Sequence, residues 1–397
     1  MTLTNKPAER MGAIPFSGIR RIFEAASRLE ADGRDIVHLN IGRPDFDTPT
    51  HIKQAAKAAL DAGRVHYTSN YGELALRRAI ATKLRVDNGL QYEPETEILV
   101  TSGVSEAIAI AILGFLTPGD EILVPAPAYL NYFHCATLAG AVPIPVPLRQ
   151  KNDFQLDAQD VLDRITPRTR MLAVVTPQNP TGSVCPASVL DQLAEVARSS
   201  DLIVLADEIY EKLVYGGLEH ASIAALPGMR ERTITLNGFS KAYSMTGWRI
   251  GYAAAPRPVI DVLVRIVQYT TVCANSFAQA GALAALDGPQ EPVNTMRDEF
   301  DRRRRLVIDR LSAIPGLTSA QLQGAFYAFP DVSAFGLDDS ALADRLLQDH
   351  GVAVVPGSAF GPGGEGHLRL SYATEYGRLA AGLDRLAEGL AALRAKR

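Results

Sequence analysis

One lysine of the chain stands in a setting that suits covalent chemistry. Lys241 lies in the segment 236–251, and Arg249 follows it in the same segment. A neighbouring cation or an apolar wall lowers the pKa of a lysine amine, and the neutral amine forms an imine with a carbonyl compound. Asp207 comes directly after the apolar run 202–206, so a carboxylate at the end of a buried strand accompanies the lysine. This combination predicts covalent cofactor chemistry at Lys241.

The two motifs resemble those of the class I and II aminotransferases, which are fold-type-I enzymes that use pyridoxal phosphate. The resemblance covers essentially the whole chain, from the N-terminal arm to the last strands. It implies that Lys241 is the Schiff-base lysine and also the proton shuttle, and that Asp207 pairs with the protonated pyridine nitrogen. It also implies that Tyr210 and Asn179 donate hydrogen bonds to the phenolate oxygen of the cofactor and thereby lower the pKa of the imine.

A second group of residues resembles the part of the family that holds the phosphate and the ring. Helix N-terminal amides and a guanidinium form a natural anion site. The resemblance assigns the phosphate to Gly103, Val104, Ser240 and Arg249. It implies that Tyr129 stacks on the ring and that Tyr67 reaches the phosphate from a neighbouring subunit, so the protein is expected to be a homodimer with shared active sites. Many relatives carry serine where this chain has Gly238, which is a departure from the pattern.

The substrate side of the site rests on three residues. Arg369, in the segment 368–371, resembles the arginine that binds the substrate α-carboxylate through two parallel hydrogen bonds. Gly42 would allow the backbone to approach the same carboxylate, and Asn179 would contribute from the turn 178–182. The expected partners are a small amino acid and a 2-oxo acid. Many relatives carry glutamate where this chain has Arg43, which adds a positive charge at the mouth of the site.

The side chain of the substrate is less constrained by the sequence. Aspartate-specific relatives hold the distal carboxylate with an arginine in the segment matching 267–279, or with a lysine near the position of Ser105. This chain has no arginine or lysine in 267–279, and it has serine at 105. We therefore expect that it is not a dedicated aspartate enzyme of those subgroups. Glutamate, alanine, aromatic or aliphatic donors and specialised metabolites all remain open.

The expected reaction is the transfer of an amino group from an amino acid to a 2-oxo acid with ping-pong kinetics. Relatives with the same residues perform other reactions of a Cα carbanion, so a pyridoxal-phosphate-dependent carbon–sulfur lyase is the alternative, as is an aminotransferase of specialised metabolism. A regulatory ligand sensor would carry a DNA-binding domain before this region, and the N-terminal arm is too short for one. A catalytically silent scaffold is disfavoured by Lys241, Asp207 and Arg369 together.

Composition excludes several other classes of function. The net charge of −4 over 397 residues provides no basic field for nucleic acid, so no nucleic-acid partner is expected. No apolar stretch approaches the ~18 residues that span a bilayer, so no membrane partner is expected either. The three cysteines lie far apart, and the histidines form no metal-binding pair, so no metal site is expected. We expect a cytoplasmic protein in a reducing compartment.

Short apolar runs alternate with helical stretches through the centre of the chain, as in 121–124, 171–175 and 202–205. This pattern predicts an α/β fold with a mostly parallel sheet between helices, followed by a smaller α+β domain. The expected divisions are an arm with part of the small domain at 1–46, a large cofactor-binding domain at 47–288, and a connector helix with the C-terminal small domain at 289–397. If the chain turns into a helix after Asp207, Tyr210 lies near the same edge of the ring.

Overall fold

The computed structural model describes residues 7–394, which form three β-sheets and a set of surrounding helices. The strands are β1 (Val37–His38), β2 (Ile98–Thr101), β3 (Glu121–Ala126), β4 (Val142–Pro147), β5 (Thr169–Val175), β6 (Ile203–Asp207), β7 (Thr233–Gly238), β8 (Gly251–Ala254), β9 (Tyr327–Ala328), β10 (Val352–Ala353), β11 (Val355–Pro356) and β12 (Leu368–Ser371). The helices are α1 (Gly18–Ala31), α2 (Thr50–Asp61), α3 (Leu74–Asp87), α4 (Val104–Phe115), α5 (Asn131–Ala139), α6 (Ala158–Leu162), α7 (Ala187–Ser199), α8 (Arg257–Val267), α9 (Ser276–Asp287), α10 (Glu291–Ser312), α11 (Asp339–His350) and α12 (Tyr376–Arg394).

The largest sheet has seven strands in the order β2-β8-β7-β6-β5-β3-β4. Strand β8 runs antiparallel to both of its neighbours, and the pairs from β7 to β4 are parallel. Its inner strands are buried along their length because helices cover both faces, which is why their sequences are continuous apolar runs without alternation. The expected α/β class with a mostly parallel sheet is confirmed.

The C-terminal elements form two smaller sheets around a separate hydrophobic core. In one sheet β1 pairs in parallel with β10, and in the other β12 lies between β11 and β9 in antiparallel pairs. Ile22 of α1 and Val37 of β1 share this core with Leu370 and Leu383, so the N-terminal elements pack with the C-terminal ones. The divisions at residues 46 and 288 stay a prediction. The first six and last three residues of the predicted domains lie outside the described residues.

Helix α10 follows the periodicity of the sequence. Its buried face includes Val293, Met296, Phe300 and Val307, which recur at the three- and four-residue spacing of one helix face. Several arginines of this helix pair with acidic residues one turn away, as Arg302 and Arg303 do with Glu299, which accounts for its high charge. Across residues 7–394, no helix is both long enough and apolar enough to cross a membrane.

The segment after Asp207 does not form the helix that was the condition for one placement of Tyr210. Residues 209–212 form turns, and no α-helix lies between β6 and β7. The turn is fixed by side chains, because the Asp207 carboxylate accepts a hydrogen bond from the backbone amide of Ile209 and the Tyr210 hydroxyl bonds to that of Tyr327. Local polar contacts therefore replace helical hydrogen bonds in placing Tyr210.

Candidate active site

A cavity of about 580 Å³ opens beyond the carboxyl ends of β5, β6 and β7, where ligands bind in α/β sheets. It is lined by ten of the residues that the sequence singled out: Gly42, Val104, Tyr129, Asn179, Asp207, Tyr210, Ser240, Lys241, Arg249 and Arg369. The remaining lining residues include Arg20, Arg43, Tyr132 and Tyr327. The large sheet brings Asn179, Asp207 and Lys241 together because they lie at or just after the carboxyl ends of β5, β6 and β7, whereas Gly42 follows β1 and Arg369 lies on β12.

Lys241 lies buried in this cavity with a single hydrogen bond to the protein. Its Nζ donates to the carbonyl oxygen of Gly42 at 2.6 Å. Burial and the positive charges of Arg369 and Arg249 together lower the pKa of Lys241 to about 7, against the opposing effect of Asp207. A large fraction of the amine is therefore neutral near physiological pH, as a nucleophile or a general base requires.

Asp207 is the only carboxylate that lines the cavity. Its Oδ2 accepts a hydrogen bond of 2.6 Å from the Tyr132 hydroxyl, and its Oδ1 accepts one of 3.1 Å from the amide of Ile209. Burial raises the pKa of Asp207 to about 6, although both hydrogen bonds act to lower it. A carboxylate in this environment gains stability from a cationic partner, because desolvation otherwise disfavours its charge.

Arg369, which is only 1% exposed, emerges from the middle strand of the small sheet into the same cavity. Its Nη2 donates to the carbonyl oxygen of Asn40 at 2.6 Å, and its Nη1 donates to Oδ1 of Asn179 at 3.2 Å. Its guanidinium carbon lies 4.6 Å from the ring centroid of Tyr327. No carboxylate pairs with it in the part of the chain that the structure describes, and its Nε has no partner. This buried cation is suited to binding an anion from outside the protein.

The start of α4 forms the opposite end of the cavity. Gly103, the residue before the helix, has φ of 79°, and a Cβ there would lie 2.4 Å from Nη2 of Arg249. Among residues 7–394, Arg249 donates only to carbonyl oxygens, those of Thr246 and Ser102, and no carboxylate pairs with its charge. Helix amides, the Ser240 side chain and this guanidinium are groups that could hold an anion here.

Comparison with known proteins decides the family. The model of the family described as aminotransferase class I and II matches residues 34–386. The chain belongs to this family. It is 42% identical over 96% of its length to an aromatic-amino-acid aminotransferase from Thermococcus litoralis, of which 97% is covered. It is 43% identical, with the same coverage of both chains, to an aspartate aminotransferase from Pyrococcus abyssi.

A solved structure agrees with this assignment. The aspartate aminotransferase from Thermus thermophilus with maleate superposes with a TM-score of 0.92 at 39% identity, covering 97% of this chain and 100% of the other. The match over the whole fold and the sequence matches together establish that this protein is a pyridoxal-phosphate-dependent aminotransferase.

The cavity of this aminotransferase fits the cofactor of its family. The neutral amine of Lys241 suits imine formation, the buried Asp207 suits the protonated pyridine nitrogen, and the unneutralised Arg249 beside Gly103 suits the phosphate. The Nε of Arg369 and the Nδ2 of Asn40 are buried without partners, which suits a carboxylate at the other end.

Two tyrosines of the aminotransferase site were missed from the sequence. Tyr132 stands in the segment 125–132, from which only Tyr129 was singled out, and its bond to Asp207 depends on the face of α5 that turns inward. Tyr327 lies on β9, where a buried strand tyrosine resembles an ordinary core residue. Its hydroxyl lies 2.8 Å from that of Tyr210, so the expected cofactor donor Tyr210 already has a partner within the protein.

Tyr67 and Gly238 behave differently from the rest of the predicted set. Tyr67 is 84% exposed and does not line the cavity of its own chain.

At Gly238 a Cβ would lie 2.8 Å from Cα of Gly251 and 3.0 Å from the carbonyl oxygen of Ile250. The close approach of β7 and β8 therefore requires glycine in this backbone, which explains the departure from the serine of many relatives.

Proposed function

We propose that this aminotransferase transfers the amino group of an α-amino acid to a 2-oxo acid, with Lys241 as imine-forming residue and general base. One observation carries the proposal: the buried amine of Lys241 shares a cavity with an ionisable carboxyl at Asp207 and a buried guanidinium without anionic partner at Arg369. When bound, pyridoxal phosphate supplies an aldehyde carbon for the imine and a ring that accepts the electron pair left at the substrate Cα.

Arg369 and Asn179 fix the orientation of the substrate in this proposal. Arg369 binds the α-carboxylate with its guanidinium, and Asn179 holds that guanidinium through its side-chain oxygen. Because Arg369 is fully buried, its charge acts with little screening by solvent. The α-carboxylate thereby determines which face of the substrate Cα meets Lys241.

Lys241 then takes the α-proton on its Nζ. A pKa of about 7 leaves enough neutral amine to accept the proton and a conjugate acid strong enough to return it. Tyr132 and the amide of Ile209 keep Asp207 oriented toward the ring nitrogen during this transfer. Tyr129 is proposed to stack on the ring, and Tyr210 with Asn179 to donate to its phenolate oxygen.

We also propose that the protein is a homodimer in which Tyr67 reaches the phosphate of the neighbouring subunit. The exposed Tyr67 lies in a segment held by hydrogen bonds to residues 272 and 279: the adjacent Thr68 accepts from Gln279, and Asn70 donates to the carbonyl oxygen of Val272. Tyr269, in the neighbouring segment, is 85% exposed. Two large aromatic residues held at the surface by ordered backbone support an interface between copies.

The cellular setting is proposed to be the cytoplasm. Cys135, Cys185 and Cys273 are all unpaired, and burial raises the pKa of Cys135 to about 11 and that of Cys185 to about 12. Such thiols are structural and remain reduced in a reducing compartment.

Absorption spectroscopy tests the proposed reaction. The purified holoenzyme should show a visible band that disappears with suitable amino acids and returns when a 2-oxo acid is added, and the Lys241→Ala variant should show no such cycle. A band that disappears without return, accompanied by release of ammonia or thiol, would favour lyase chemistry and contradict the proposal.

A panel that includes aspartate tests the expectation that aspartate is not strongly preferred. Sedimentation of wild type and of Tyr67→Phe, with cofactor affinity measured for both, tests the shared dimer site.

A further inference from the structure

Two arginines at the mouth of the active-site cavity have no partner in the protein. Arg20, in the first turn of α1, and Arg43, next to Gly42, both line the cavity and both are exposed. Within residues 7–394 neither side chain takes part in any hydrogen bond or ion pair. Their neighbours do: Arg21 pairs with Asp344 at 2.8 Å, and Asp45 pairs with Arg303 at 2.7 Å. The charges of Arg20 and Arg43 are therefore available to a ligand that enters the cavity.

The charges that line the cavity are strongly unbalanced. Five lining residues are basic, namely Arg20, Arg43, Lys241, Arg249 and Arg369, and only Asp207 is acidic. In the proposed function the phosphate neutralises the charge of Arg249, and the α-carboxylate neutralises the charge of Arg369. Lys241 carries only part of a positive charge, because its pKa is lowered to about 7. The charges of Arg20 and Arg43 stay unmatched by cofactor and α-carboxylate. A further anionic group on the substrate would balance them.

Both arginines stand on backbone that is fixed near the reacting atoms. The carbonyl oxygen of Gly42 accepts from Nζ of Lys241, so the next residue, Arg43, begins one peptide unit from the catalytic amine. Helix α1 is anchored by buried Ile22 and Ala26, and a Cβ at its Gly18 would lie 2.7 Å from Cβ of Ala359, so the helix packs tightly there. Long side chains on such anchored backbone can converge on one end of a substrate.

We propose that Arg20 and Arg43 bind a second carboxylate, at the end of the substrate away from the α-carboxylate, and so make glutamate a better donor than uncharged amino acids of the same size. The proposal rests on the proposed function, because it takes Arg369 as the α-carboxylate site. It assigns specificity to residues of the same chain, on the N-terminal helix and the loop after Asn40. The buried Arg369 and the exposed pair lie at different depths of the cavity, which matches an α-carboxylate held inside and a distal carboxylate near solvent.

The test compares glutamate with glutamine, which differ in charge and hardly in size. We measure kcat/KM of the half-reaction with both donors for wild type, Arg20→Gln, Arg43→Gln and the double variant. Each single change should lower the glutamate-to-glutamine ratio about tenfold, as expected for the loss of one charge-assisted hydrogen bond, and the double variant should lower it further. Raising the ionic strength should lower the ratio in wild type, because the two arginines are exposed. Arg28→Gln is the matched control, since Arg28 is an exposed arginine of the same helix that does not line the cavity.

Two results would overturn the inference or separate it from the proposed function. If wild type and double variant transaminate with ratios that agree within about twofold, Arg20 and Arg43 are only solvated surface charges. If wild type reacts with no amino acid, the proposed function fails, and binding decides the inference by itself. Calorimetric titration of the holoenzyme with glutarate and with pentanoate then measures the preference for a second carboxylate, which the double variant should abolish. An equal affinity of wild type for both ligands would contradict the inference.

Discussion

Removing the hydroxyl of Tyr132 tests whether Asp207 depends on its hydrogen bond to serve the cofactor. The Tyr132→Phe variant deletes one donor to a fully buried carboxylate and leaves the ring in place. A hydrogen bond to a charged group contributes about 1.5–3 kcal/mol. Because burial leaves the Asp207 carboxylate without solvent to replace the lost donor, we expect an effect in this range on the binding of pyridoxal phosphate, which is about 10- to 150-fold in Kd.

The direction follows from the pKa of Asp207. Burial raises this pKa to about 6, and the bond from Tyr132 opposes that rise, so the variant should move the pKa upward. A larger fraction of Asp207 is then protonated at neutral pH, and a protonated carboxyl is a weaker partner for a pyridinium. The loss of affinity should therefore be smaller at pH 8.5 than at pH 6.5.

The assay is equilibrium titration of the apoenzyme with pyridoxal phosphate, followed by visible absorbance at both pH values. Tyr243→Phe is the control, because its hydroxyl donates to Gln290 at 2.9 Å and does not line the active-site cavity. Both variants should unfold cooperatively. If Tyr132→Phe binds the cofactor as tightly as Tyr243→Phe at either pH, the proposed dependence of Asp207 on Tyr132 is wrong.

Three further predictions concern charge in and behind the site. Burial, assisted by Arg369 and Arg249, lowers the pKa of Lys241 to about 7, so imine formation between the apoenzyme and pyridoxal should rise with pH around a midpoint near 7. The Arg249→Met variant should raise that midpoint. A wild-type midpoint near 10 would contradict the assignment of Lys241. The Arg369→Leu variant should lower kcat/KM about 100-fold for charged and uncharged amino acids alike, because all of them carry the α-carboxylate. A loss confined to one donor in a rate panel would argue against Arg369 as the residue that binds this carboxylate. Burial lowers the pKa of His220, but the charge and hydrogen bond of Glu208, 3.2 Å away, together with the charge of Glu211 outweigh burial and raise this pKa. The stabilisation from protonated His220 should therefore be present below about pH 6.5 and disappear as the pH rises through its folded-state pKa. Glu208→Gln should flatten this dependence in urea unfolding measured from pH 6 to 9.

The large sheet and most of the cavity could be predicted from the sequence, because both follow from short segments in which an apolar strand is followed by polar residues. Apolar runs that end in polar motifs, as at Asp207 and Asn179, predict strands whose carboxyl ends meet, and the structure brings these residues together. Lys241 and Arg249 share one connection between adjacent strands, so their proximity follows from a hairpin-like return of the chain.

What the sequence could not provide are contacts between distant segments. Tyr132 meets Asp207 across 75 positions, and Tyr210 meets Tyr327 across 117, so neither pair has a local signature. A helix after Asp207 was left open by the sequence, and the structure has a turn there because side-chain contacts of Asp207 and Tyr210 fix it. The role proposed for Tyr67 involves a second chain, which one sequence cannot position.

Glycines bring three segments of backbone into close contact beside the cavity. Gly238 on β7 lies against Gly251 on β8, Gly251 lies against Gly103 and the amide of Val104, and Gly103 lies against the guanidinium of Arg249. A side chain at Gly238 or Gly251 would displace the neighbouring backbone, so the spacing of β7, β8 and the start of α4 is one that only glycine allows. A library that randomises Gly238 and Gly251 should consequently recover almost only glycine, whether the positions are varied singly or together, because no smaller residue at one position can make room for a side chain at the other.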